Sequence, residues 1–311
     1  MSGVAEAEAG RFPGGLRPLV VTMRPYQWPK NVVVFAALVF SAGEAWRPED
    51  VGSWWPLLWR SAALFGLWCL AASATYLVND VRDREADQVH PRKRFRPVAS
   101  GALGQGRALA AAGALAAVSI PGALVLDRLA GLVLGGYVGV MVLYSLGLKR
   151  VAVLDIFLLS AGVVGRAVSG AAAIEVDISP WLYVCSSFGA LFFATTKRWA
   201  EFRQLGSEAV RHRPSLGAYN AEVLELMLAV SAAGALLSYS LYTIESARVP
   251  EDGSMALTIP FVAFALFRFL LLMSGGRQGE APDRVLFSDP QIVAAVVGFT
   301  VTAFAVLVVN R

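Results

Sequence analysis

Apolar residues fall along this chain in long blocks of about twenty, separated by short polar gaps. A block of that length matches the hydrocarbon core of a bilayer crossed as an α-helix, the element that satisfies its own backbone polar groups in lipid. Nine blocks stand out, at residues 26–46, 57–79, 107–126, 129–147, 152–174, 180–199, 221–243, 257–274 and 290–309. They predict an all-α polytopic membrane protein, a bundle of nine transmembrane helices. Pro25, Pro29, Pro56, Pro180, Pro260 and Pro290 stand near the predicted helix starts, where proline is tolerated, and the Gly-rich stretches 131–139 and 162–170 permit close helix packing. Residues 1–20 lack an uninterrupted apolar core and read as a disordered cytoplasmic tail, not a cleaved signal peptide, which leaves 21–311 as a single transmembrane domain.

Composition agrees with the pattern. Of 311 residues 56% are hydrophobic and only 16% charged, too apolar for an ordinary soluble protein. The net charge of +4 does not point to nucleic acid, since the basic residues lie in the gaps between apolar blocks and no nucleic-acid motif is present. Twenty of the 27 Lys and Arg lie before or at the start of the first block, or between the end of an even-numbered block and the start of the next. By the positive-inside rule the N-terminus and the even gaps face the cytoplasm across a plasma membrane, and the C-terminus faces outward. Cys69 and Cys185 lie inside apolar blocks and, with His90 and His212, make no zinc set, so disulfide and transition-metal chemistry are set aside.

Against this background one polar stretch stands apart, Asn79-Asp80-Val81-Arg82-Asp83-Arg84-Glu85-Ala86-Asp87, followed by the basic run from His90 to Pro97 that includes Arg94. In a helix Asp80, Asp83 and Asp87 stand at i, i+3 and i+7, so their carboxylates project from one face with Asn79 at its edge. Hard oxygen ligands beside Arg and Lys read as a site for Mg²⁺ with a diphosphate. A solvated charged helix is the plainer alternative, but ionisable clusters in so apolar a chain mark function.

Further polar groups gather at the same predicted membrane face. Lys197 and Glu201 stand at i, i+4 with Arg198 alongside, either a helix-end pair at the interface or a phosphate clamp opposite the carboxylates. Gln27, Lys30 and Asn31 open the first block beside Tyr26 and Trp28, and Tyr144 and Lys149 flank the end of the fourth. Arg166 lies mid-helix, where a charge is expected to face the bundle interior and pair with Asp155 or a ligand anion.

With those residues in hand, the chain resembles the UbiA superfamily of intramembrane prenyltransferases over nearly its whole length. The family's first motif, NDxxDxxxD, is intact as Asn79, Asp80, Asp83 and Asp87. Its usual second motif resembles YxxxKDxxD, and here the chain departs. Lys197 matches the lysine, Arg198 and Glu201 stand where the two aspartates would be, and Phe193 stands for the tyrosine. Exchanging an aspartate for Arg198 removes a metal ligand and adds an anion receptor. That departure, with Arg24-Pro25-x-Gln27-Trp28-x-Lys30-Asn31 and the basic run after Asp87, resembles the decaprenyl-phosphate phosphoribosyltransferase branch.

The resemblance implies a cytoplasmic-side site in which Mg²⁺, held by Asp80, Asp83, Asp87 and Asn79, binds 5-phosphoribosyl 1-diphosphate, and the phosphoribosyl group passes to a polyprenyl phosphate for actinobacterial cell-wall arabinan. Asp80, Asp83, Asp87, Lys197 and Arg198 would be catalytic. Lys30, Asn31, Gln27, Asn79, Arg94, Tyr144, Lys149, Arg166 and Glu201 would bind substrate. Homo-oligomerisation stays open. The alternatives are an ordinary UbiA enzyme that prenylates an aromatic ring and, in another class, a transporter with a cytoplasmic phosphate gate; transporters keep their polar sites near the midplane, and here the polar residues cluster at one face.

Overall fold

The computed structural model describes residues 15–91, 93–205, 214–246, 249–274, 285 and 288–309. The expected tail lies outside the described residues up to position 14; from there the chain is already helical, in α1 (Leu16–Met23). His212 also lies outside them.

The first apolar block is not one α-helix. It runs as a 3-10 helix over Pro25–Phe35 and continues as the short α2 (Ala36–Phe40). Pro25 and Pro29 remove backbone donors, and the β-branched run Val32–Val34 adds little helix propensity. Tight packing completes the explanation: a Cβ on Gly170 would run into the Val34 carbonyl, so the segment lies directly on the helix that carries Gly170. Because a 3-10 helix rises about 2 Å per residue, these sixteen residues still reach about 30 Å.

The remaining elements are α3 (Val51–Arg82), α4 (Arg84–Gln88), α5 (Gln105–Leu126), α6 (Arg128–Leu146), α7 (Leu154–Ala173), α8 (Pro180–Leu205), α9 (Ala221–Glu245), α10 (Ile259–Ser274) and α11 (Pro290–Val309). Short polar caps set several of their starts. Asp50 accepts from the Gly52 N–H at 2.9 Å, Asp127 from Ala130 at 2.8 Å and Asn220 from Val223 at 2.7 Å. The Asp50 cap begins α3 six residues earlier than the apolar pattern predicts, leaving Pro56 in its second turn.

Seven helices among the described residues are long and apolar enough to cross a membrane. The other two of the nine predicted blocks are the Pro25–Phe40 segment and α8, which Ser186, Ser187, Thr195, Thr196 and a charged end make too polar to qualify. The bundle is a multi-pass membrane protein in which α3 packs chiefly on α5, α8 on α9, and α7 on α6 and α8. Its interior is laced with polar ties. Arg60 donates to the terminal carbonyls of α7 (Ala173, 2.5 Å) and α5 (Leu126, 2.8 Å), and Trp68 donates to Ser169 at 2.8 Å. Such ties matter in lipid, where water is not there to satisfy them.

Candidate active site

The Asp row begins in the last turn of α3. Asp83 closes that helix and α4 restarts at Arg84. The Asp83 N–H donates to the Asn79 carbonyl (2.9 Å) and the Asp87 N–H to the Asp83 carbonyl (2.8 Å), which carries the helical path across the join. The side chains nonetheless divide. Asp80 and Asp87, both buried, meet at Arg96, whose Nη1 lies 3.3 Å from Asp80 Oδ1 and 2.7 Å from Asp87 Oδ2. Arg24 Nη2 donates to the same Asp80 oxygen at 2.5 Å, its guanidinium 4.9 Å from the Tyr76 ring centre. Asp83 pairs instead with Lys149, and Asn79 accepts from the Ser145 hydroxyl at 3.3 Å.

The expected ligand set of Asp80, Asp83, Asp87 and Asn79 is thus split into a buried pair that shares Arg96 and a more exposed third carboxylate that pairs with Lys149 at the end of α6. Among the described residues no three His, Cys, Asp or Glu gather closely enough to hold a metal. Two carboxylates do, however, already meet at one positive nitrogen. Mg²⁺ is usually held by one or two carboxylates with substrate phosphates completing its shell, so this donor set fits a hard divalent cation. The three cationic side chains keep 17% (Arg24), 28% (Arg96) and 20% (Lys149) exposure, against 3% and 5% for Asp80 and Asp87. They reach water while they pair with the carboxylates. Arg24 also has a left-handed backbone (φ 56), imposed where α1 ends just before Pro25; such positions cost of order 1 kcal/mol and concentrate at functional sites.

A second cluster lies across α6. Arg198 is 2% exposed and all three of its nitrogens are engaged: Nε donates to Asp155 Oδ2 (2.6 Å), Nη1 to Glu201 Oε2 (2.8 Å) and Nη2 to the Tyr144 hydroxyl (3.1 Å). Asp155, fully buried, also accepts from Ser215 (3.3 Å) and Tyr219 (3.1 Å). Burial pushes the Tyr219 phenol up to about 12, so it stays a donor to Asp155 while its oxygen accepts from the Val153 N–H at 2.5 Å. Tyr144 and Ser145 are neighbours on α6, one bound to Arg198 and the other to Asn79, so the two clusters share a wall.

Asp155 is therefore the partner of Arg198 and not of Arg166, for which Asp155 or a ligand anion was the expected partner. The reason is distance along α7: eleven residues separate Asp155 from Arg166, about 16 Å of helix axis. Arg166 turns to the first block, where its Nε donates to Asn31 Oδ1 at 2.7 Å. Of the other expected residues, Gln27 and Lys197 are half-buried and Lys30 is exposed. Arg94 is exposed and stacks 4.8 Å from the Phe95 ring centre, while Arg96, two residues on, reaches the carboxylates. Arg24 and Arg96 were not among the expected site residues. Both belong to the sequence runs that carry the resemblance, the one signal that pointed to them. An apolar cleft lies elsewhere, lined by Ala36, Phe40, Val164, Leu182, Tyr183 and Tyr242 among others, and none of the two clusters' residues lines it.

The chain is similar to known proteins over most of its length. The chain is 34% identical to the decaprenyl-phosphate phosphoribosyltransferase of Mycolicibacterium smegmatis over 300 residues, which covers 93% of this chain and 92% of that protein. It is 36% identical to the enzyme of the same name from Corynebacterium glutamicum over 275 residues, 87% of this chain and 81% of that one. Among solved structures it is similar to a UbiA homolog from Archaeoglobus fulgidus bound to GPP and Mg²⁺, with a TM-score of 0.68 at 16% identity over 93% of this chain and 99% of that one. Digeranylgeranylglyceryl phosphate synthase gives 0.66 at 13% identity over 94% and 98%. The model of the UbiA prenyltransferase family matches residues 33–289, most of the sequence, and the chain belongs to that family.

Proposed function

We propose that this transferase moves the 5-phosphoribosyl group of 5-phosphoribosyl 1-diphosphate onto the phosphate of a polyprenyl chain, with decaprenyl phosphate as the acceptor, and releases diphosphate. The observation that carries this reading is identity near one third, over most of the chain, to two enzymes named for that reaction. The site supports it chemically. Arg198, in the place of an acidic residue of the second motif, holds both nearby carboxylates, Asp155 and Glu201, together with the Tyr144 hydroxyl, so a guanidinium stands where the resemblance to prenyl-diphosphate enzymes would put a second metal.

Asp80 and Asp87, with Asp83 close by, would hold Mg²⁺, which when bound neutralises the donor diphosphate and makes it a better leaving group. Arg24, Arg96 and Lys149 stand beside those carboxylates and are the cations able to turn onto the diphosphate oxygens. As the bond from C1 of the ribose to the diphosphate breaks, an oxygen of the acceptor phosphate supplies the electron pair for the new C1–O bond from the opposite side, giving inversion at C1. The acceptor is already an anion, so no strong general base is required, and positioning and electrostatics carry the catalysis. The basic gaps support a cytoplasmic position for the Asp80 end of the bundle, at the plasma membrane, where a soluble, highly charged donor is available.

The test is to incubate the purified protein and Mg²⁺ with polyprenyl phosphate and either phosphoribosyl diphosphate or a prenyl diphosphate, and to identify products by mass spectrometry. The expected product is polyprenyl-phosphoryl-5-phosphoribose, from the first donor alone. Prenylated aromatic acid from the second donor, with no phosphoribosyl product, overturns the assignment.

A further inference from the structure

Arg166 is a buried cation with no counter-charge among the described residues. It lies in the middle of α7 at 8% exposure. Its Nε donates to Asn31 Oδ1 (2.7 Å), its Nη1 donates to the Gly162 carbonyl, and its guanidinium lies 4.6 Å from the Trp68 ring centre and 5.0 Å from that of Tyr137. All four partners are neutral. Arg24, Arg96, Arg198 and Arg268 each pair with a carboxylate, whereas no ion pair holds Arg166 among the described residues. A charge kept in a bundle interior on these terms carries a large desolvation penalty and marks an anion site by default.

Its surroundings are built to hold it still. Asn31 Nδ2 donates to Cys69 Sγ at 3.2 Å, which turns the amide oxygen toward Arg166. Trp68 is fixed by its hydrogen bond to Ser169. Gly162 leaves the space the guanidinium occupies, since a Cβ there would sit 3.4 Å from Nη1 and 3.1 Å from the Tyr137 ring. The Nη2 edge makes no hydrogen bond to the described residues, and it is not sealed either: the one fully buried side-chain nitrogen or oxygen without a partner among them is Ser61 Oγ. A flat, preorganised fork with one open edge is what bidentate recognition of a phosphate uses.

We propose that Arg166, steadied by Asn31 and seated on Trp68 and Tyr137, is the receptor for a phosphate monoester. This rests on the phosphoribosyl-transfer reading and deepens it. Among the described residues Arg166 bonds to none of the side chains that hold Asp80 and Asp87, so the group it receives is a phosphate of the bound substrates other than the diphosphate beside those carboxylates. Both substrates of the proposed reaction carry such a group, the polyprenyl acceptor at its head and the donor at its ribose 5-position.

Calorimetry with the purified full-length protein in detergent, using farnesyl phosphate, farnesol and ribose 5-phosphate as probes, separates the sources. Arg166→Gln and Asn31→Ala are each expected to weaken one of the two phosphate probes about tenfold or more, with Arg166→Lys recovering part of the loss. Farnesol binding is expected to stay as it is. The KM for the matching substrate rises by a similar factor while kcat changes far less, and the unfolding temperature of Arg166→Gln stays level or rises, because an uncompensated charge has gone. A loss confined to farnesyl phosphate assigns the receptor to the lipid acceptor, and one confined to ribose 5-phosphate assigns it to the donor. Unchanged affinity for both probes in folded Arg166→Gln and Asn31→Ala overturns the proposal and leaves Arg166 a brace between helices. A wild-type protein that consumes no phosphoribosyl diphosphate sinks the transfer reading alone; Arg166-dependent binding of either probe still supports the receptor.

Discussion

Two clusters of acids and bases, separated by the width of one helix, use nearly the same residue types for opposite ends. At the Asp80 end Asp80 and Asp87 are buried while their cations Arg24 and Arg96 reach water, so a ligand can compete for the positive groups. At the Arg198 end both Arg198 and Asp155 are sealed, and every nitrogen of the cation has a partner. Exchange of partners is what a substrate site needs, and a fixed buried pair is what holds helices in register. Exposure of the cation, more than the presence of charge, distinguishes the two.

The largest expected effect tests that contrast at its exchangeable half. Asp80→Ala is expected to lower the rate of phosphoribosyl transfer by about a thousandfold with a nearly unchanged unfolding temperature, because the orphaned Arg24 and Arg96 can turn to water. Product formation by mass spectrometry and thermal unfolding of the same preparation check it; a fall in stability as large as the fall in rate would erase the distinction.

Arg198→Met sharpens the other half. It strands Asp155 in the bundle interior and is expected to cost about 3–5 kcal/mol of stability, most of it recovered in the double variant Arg198→Met with Asp155→Leu. Denaturation of the three proteins side by side gives the answer, and a single variant as stable as the wild type would show that the pair is not structural.

Tyr219→Phe is the smallest change, removing one donor to Asp155 and about 1 kcal/mol. Because the folded phenol titrates near 12 and not near its ordinary 10.0, its contribution is whole below pH 10 and declines as pH rises toward 12, since the unfolded chain loses that proton first. The stability gap between wild type and variant, followed by denaturation across that window, is expected to narrow with rising pH.

Much of this arrangement was legible in the chain, for identifiable reasons. A membrane block announces itself by length and apolarity alone, and the Asp row by a local spacing that any helix turns into geometry. The partners were not legible. Arg24 and Asp80 are 56 positions apart and Arg198 and Asp155 are 43 apart, and nothing local to either member of a pair encodes such a meeting. Arg166 shows the same limit from the other side: its position inside a helix predicted that it would need a partner, but its face of α7 gave it Asn31 and two aromatic rings in place of an acid.

By itself the sequence determined that this protein crosses a membrane many times, that its chemistry gathers at the ends of particular helices, and that a carboxylate row lies among bases, because helix period, bilayer thickness and charge cost act locally on consecutive residues. Only the tertiary structure decided which carboxylates share a cation, that Arg198 is locked while Arg96 is partly exposed, and that Arg166 stands without an acid among the described residues. Those outcomes depend on how helices from distant parts of the chain rotate against one another, and rotation is set by packing that no single stretch contains.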